Sequence, residues 1–102
     1  MDRISKLKEF LEANESDSFI QHALALEYVK AGDDTEARRL FEKLLLQNED
    51  YLGSYYHLGK LLERNDDREN ALKWYERGML KAKEVGEQHA YNELQAAYDD
   101  LV

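Results

Sequence analysis

The sequence predicts an all-α fold, about six helices stacked as antiparallel pairs in a short solenoid. Three observations predict it. A set of apolar and small residues recurs at a spacing of 34: Leu24, Ala25, Tyr28, Ala37 and Phe41 are matched by Leu58, Gly59, Leu62, Ala71 and Tyr75. Self-similarity at a period of a few tens of residues marks stacked supersecondary units. Within each copy the apolar positions fall at helical spacing, first on one segment and then on the next. Finally, there is no proline and there are only five glycines in 102 residues, too few turn formers for a sheet-rich chain.

Taken in order, residues 2–13 read as a helix with Ile4, Leu7, Phe10 and Leu11 on one stripe and Lys8, Glu9 and Glu12 away from it. Asn14-Glu15-Ser16-Asp17-Ser18 ends it. Asn tolerates a left-handed helix end, and Asp or Ser caps the next helix. That second helix runs over 17–31 and stops at Gly32. Asp33-x-x-Glu36 forms a capping-box pattern for a third helix, which runs to Gln47 and buries Ala37, Leu40, Phe41, Leu44 and Leu45. A fourth helix over 51–64 ends at Asn65, and Asp66-x-x-Glu69 repeats the capping box. The two boxes lie 33 apart whereas Ala37 and Ala71 lie 34 apart, which implies one residue of slippage in the turn. The fifth helix, 67–84, is expected to bury Ala71, Trp74, Tyr75, Gly78 and Met79 and to end at Gly86. The sixth, 87–101, carries Ala90, Tyr91, Leu94, Ala97, Tyr98 and Leu101 on one stripe.

The motif Tyr55-x-x-Leu58-Gly59-x-x-Leu62 with Ala71-x-x-x-Tyr75, in register with its copy 34 residues earlier, resembles the tetratricopeptide repeat. The resemblance covers residues 4–85 and implies one domain over 1–102. Residues 1–14 are then a half-repeat helix, 17–50 the first repeat, 51–85 the second, and 86–102 a capping helix. There are departures. Gln21 stands where Tyr55 opens the second copy, Ala25 where Gly59 stands, Glu49 and Lys83 at the proline positions, and Asp66 or Asn65 at a turn glycine. The small residues serve close approach of neighbouring helices, and Phe41 and Tyr75 fill the space between.

Composition excludes several classes of function. The formal net charge of −8 opposes broad binding to nucleic acid or anionic lipid. No cysteine is present for a disulfide or a thiolate metal site. The first residues lack the apolar core of a signal peptide and no apolar run approaches a membrane span, so the expectation is a cytoplasmic protein. No catalytic constellation or phosphate loop stands out, and no cofactor is expected. His22, His57 and His89 fall on the first helices of successive pairs. Neighbouring helix axes lie about 8–10 Å apart, too far for shared metal ligation, so no metal site is expected. Asp33-Asp34 and Asp66-Asp67 read as helix caps and not as a calcium loop.

The resemblance implies a non-catalytic protein–protein interaction module that takes a peptide or protein segment in a concave groove lined by the first helix of each pair. The groove-facing residues would be Phe19, His22, Leu26, Val29 and Lys30 from the first repeat, and Tyr56, His57, Lys60, Glu63 and Arg64 from the second. Helical spacing supports part of this, because Phe19, His22, Leu26, Val29 and Lys30 form a stripe distinct from that of Leu24 and Tyr28. Tyr56 follows the core residue Tyr55 and points about 100° away from it. The first and last helices each carry one apolar stripe, which with the net charge predicts a monomer. Alternative readings are a self-association module, or a small metal-binding or enzymatic protein using the His22/His57 edge.

Overall fold

A computed structural model describes residues 2–102. Six helices follow one another: α1 (Arg3–Ala13), α2 (Ser18–Lys30), α3 (Asp34–Gln47), α4 (Gly53–Arg64), α5 (Arg68–Val85) and α6 (Gln88–Leu101). There is no strand among the described residues. Two compact units divide the chain, Met1–Asn48 and Glu49–Val102.

In the first unit α2 packs against both α1 and α3. Leu24, Ala25 and Tyr28 from α2 and Ala37, Leu40, Phe41, Leu44 and Leu45 from α3 form its buried set. The side chains of Asp2, Asp17 and Asp33 cap the three helices, accepting from the backbone N–H groups of Ser5, Ile20 and Glu36. At Asp33 only half of the expected box forms. Its own N–H is already spent on the Tyr28 carbonyl at 2.9 Å, and the Glu36 carboxylate pairs with Arg39. The asparagines that end α1 and α3 do not take the expected left-handed conformation. Asn14 and Asn48 have φ of −152° and −142°. Asn48 acts through its side chain instead, donating from Nδ2 to Ser18 Oγ at 3.0 Å and so tying the end of α3 to the start of α2. Phe10, expected in the apolar stripe of α1, is 56% exposed. Its counterpart Leu44 on α3 is wholly buried, and α1 packs against α2 alone among the described helices.

In the second unit α5 packs against α4 and α6, and α6 also touches α4. Two glycines set the close approaches. A Cβ on Gly59 would fall 2.1 Å from the Tyr75 ring, and one on Gly78 would fall 2.7 Å from Tyr55 Cβ and 2.8 Å from Leu94 Cδ1. Trp74 and Met79, expected in the core, are only half-buried. Trp74 lies at the margin of the α4–α5 contact, with the Tyr55 ring at 6.1 Å and the Arg77 guanidinium over it at 4.7 Å.

The turn between α4 and α5 corrects the expected capping box. Its cap is Asp67, whose side chain accepts from the Asn70 N–H, and not Asp66. Asp66 has φ of +61° and occupies the place of Gly32, φ +81°. The hydrogen bonds agree residue by residue. Gly32 N–H goes to Val29 and Asp33 N–H to Tyr28, as Asp66 N–H goes to Glu63 and Asp67 N–H to Leu62. Both are six-to-one helix terminations. Caps and core are therefore both 34 apart, and the turn holds no slippage.

Candidate protein interface

On α2, Leu24, Ala25 and Tyr28 form the buried side, and the opposite side is less buried. Phe19 is 71% exposed there, and Leu26 and Val29 are half-buried beside it. Lys30 lies 3.4 Å from Glu27, which Arg3 also holds at 3.2 Å. His22 is half-buried, with its ring edge-on to Phe41 at 5.7 Å, so much of its surface serves packing.

On α4, Tyr56, His57 and Lys60 come together. The Tyr56 and His57 rings meet edge-to-face at 5.6 Å, and the Lys60 ammonium lies 5.6 Å from the Tyr56 centroid. Lys60 also lies 3.7 Å from Glu63. Glu63 in turn accepts from the buried Tyr75 hydroxyl, and burial together with this carboxylate pushes the phenol well above its ordinary range. Glu63 thus supports the core as well as the surface. Arg64 is exposed one turn beyond Lys60. Packing around the His57 ring disfavours its charged form and lowers its pKa, and the Glu93 carboxylate acts the other way.

That last pairing shows what sequence reasoning missed. Glu93 belongs to α6, and the stripe His89, Glu93, Ala96 and Asp100 repeats the 4-3-4 spacing of Gly53, His57, Lys60 and Arg64 on α4. The polar side of α6 reads from the sequence as a solvent cap. Its spacing, identical to that of the α4 stripe, was the signal available. Among the described residues no three His, Asp or Glu side chains gather as a metal site, and no helix is long and apolar enough to cross a membrane.

The architecture defines a helical-repeat protein. The family model described as a tetratricopeptide repeat matches residues 52–79. A tetratricopeptide repeat domain protein from Salinibacter ruber is 42% identical in both its solution and its crystal structure. The solution structure superposes with a TM-score of 0.80, covering 83% of this chain and 86% of that one. The crystal structure gives 0.78, covering 83% and 94%. The chain belongs to the tetratricopeptide repeat family. A protein from Bordetella parapertussis, 23% identical, shares the fold at a TM-score of 0.84 over 99% of this chain and 88% of its own. No curated protein sequence matches the chain. Membership supports a protein–protein interaction module in general, in a family that is typically non-catalytic.

Proposed function

We propose that the chain holds a peptide or protein segment on the faces of α2 and α4, the first helices of the two repeats, that lie away from their buried stripes. Phe19, His22, Leu26, Val29 and Lys30 serve on α2, and Tyr56, His57, Lys60, Glu63 and Arg64 on α4. The observation that carries this reading is apolar surface left on the side of α2 away from its core, with Phe19 71% exposed. Exposed apolar groups clustered on one face mark interaction sites, and aromatic residues are enriched among binding hot spots. Within each proposed face the residues divide their work. Phe19, Leu26 and Tyr56 supply contact area, Lys30, Lys60 and Arg64 supply charge, and His22 and Glu63 are partly committed to the core.

The test separates binding from stability. Leu26→Glu and Tyr56→Ala are expected to leave the thermal midpoint nearly unchanged. Each should reduce retention of partner proteins on the immobilised chain by about tenfold or more, roughly 1.4 kcal/mol. Quantitative mass spectrometry of the retained fraction, beside circular dichroism melts, reads both. Equal retention by wild type and both variants would overturn the proposal.

A further inference from the structure

The α4–α6 face of the second unit has a charge pattern that the α4 residues alone conceal. On α4 the exposed Lys60 ammonium is engaged by Glu63 at 3.7 Å and by the Tyr56 ring. On α6 the balance is different. The helix contains Glu93, Asp99 and Asp100 and no lysine or arginine. Glu93 and Asp100 are exposed, fall on one stripe, and have no hydrogen bond or ion pair among the described residues. Helix α6 packs on α4, the Glu93 carboxylate acts on His57, and Asp100 follows Glu93 two turns along the same stripe of α6.

The geometry points to a cationic partner: the α4–α6 face binds a segment whose arginine or lysine side chains are taken by Glu93 and Asp100 while an apolar side chain rests on Tyr56. The inference deepens the reading of the first-type helix faces as the binding surface, and rests on it. Glu93 and Asp100 are seven residues apart, about 10 Å along the helix, so two basic side chains of one segment can be met separately. A carboxylate accepts the forked N–H groups of a guanidinium two at a time, which favours arginine over lysine. The carboxylates on α6 are free to make new pairs, whereas the Lys60 ammonium would have to leave Glu63 to receive an acidic segment. The net charge of −8 steers a basic partner toward the molecule and repels an acidic one.

The experiment uses two synthetic peptides with the same aromatic and aliphatic frame, one carrying arginines and the other glutamates at the remaining positions. Binding to the full chain is read by fluorescence anisotropy and mapped by amide chemical shifts. The arginine peptide is expected to bind more tightly, to shift α4 and α6 resonances, and to weaken as salt rises. Glu93→Lys combined with Asp100→Lys should reduce its affinity by tenfold or more without moving the thermal midpoint. A separate readout needs no peptide. Glu93→Gln should lower the His57 pKa in a proton NMR titration, because a carboxylate that favours the imidazolium has been removed. Preference for the glutamate peptide, with shifts on α2 and α4, would overturn the inference and leave the binding-face reading standing. Shifts confined to the outer sides of α3 and α5 would overturn both. Binding of the arginine peptide unaffected by the double charge reversal, or no binding of either peptide, would overturn the inference.

Discussion

Single positions in this chain keep their physical task when their residue type changes. Residue 21 or 55 opens each repeat and must bury a hydrogen-bond donor. Tyr55 donates its hydroxyl to the Glu49 carbonyl at 2.7 Å, and Gln21 donates Nε2 to the Glu15 carbonyl at 2.9 Å. The two carbonyls are themselves 34 residues apart. An aromatic therefore gives way to an amide without loss of the bond, although Gln21 Oε1 is left buried without a hydrogen-bond partner among the described residues. Gly59 has no such latitude, because Tyr75 is wholly buried and its ring cannot retreat from an added Cβ. Gly59→Ala is expected to lower stability by about 1–3 kcal/mol, and Gly59→Val by more, as read from denaturant midpoints. Asp66 is the opposite case. An L-residue at φ +61° carries a steric cost that glycine avoids. Asp66→Gly should raise stability by about 0.5–1 kcal/mol, the scale of other glycine conformational effects. A lowered midpoint would mean that the Asp66 side chain contributes more than its backbone strain costs.

At the scale of the element, much was legible because helix pairing imposes volume constraints that survive in a single sequence. The order of six helices, their ends to within a residue or two, and the Ala37/Phe41 and Ala71/Tyr75 pairs follow from small and large residues recurring at one period. The turns were less legible. Asp66 and Asp67 are chemically alike, and the cap is decided by which of them takes the left-handed conformation, a backbone property that composition does not show. Asp67→Ala should accordingly cost about 1 kcal/mol of stability, measured against Asp66→Gly in the same background. Trp74 was misplaced for another reason. Helical phase puts it beside Tyr75, but its size leaves part of the ring outside, where Arg77 covers it at 4.7 Å. The candidate interface was legible on α2 and α4 as stripes outside the core pattern. On α6 the matching 4-3-4 spacing of His89, Glu93, Ala96 and Asp100 was the one available signal, and the polar character of that side hides it behind the pattern of a solvent cap.

For the whole molecule, charge and titration set expectations that no single helix does. His57 has its pKa lowered from the ordinary 6.5 by desolvation. The unfolded chain therefore binds that proton more readily, and stability should fall as pH drops below about 6.5. Glu36 has its pKa lowered from 4.5, chiefly by its hydrogen bond to Arg39. Its contribution is present above that value and fades as pH falls below it. Both effects run the same way, and His57→Asn should flatten only the upper limb in midpoints recorded from pH 7 to pH 4. We further propose that the chain is monomeric. Register assigns α1 to the second helix of a pair, so a mating first helix would meet positions 3 and 6 where α3 presents Ala37 and Leu40. Those positions hold Arg3 and Lys6, both exposed, and Arg3 is engaged with Glu27 at 3.2 Å. A close-approach site filled by arginine cannot take a helix from a second copy without burying charge, which is costly unless the charge is fully paired. The exposed Phe10 is a single apolar group on that face, far short of the area a stable interface buries. A net charge of −8 adds repulsion between copies. Sedimentation at tens of micromolar should give the monomer mass of 12.0 kDa. Arg3→Ala with Lys6→Leu, which restores the small and apolar pattern of α3, should promote association if this is the feature that prevents it. A stable dimer of the wild-type chain would show instead that a surface other than α1 mediates self-association.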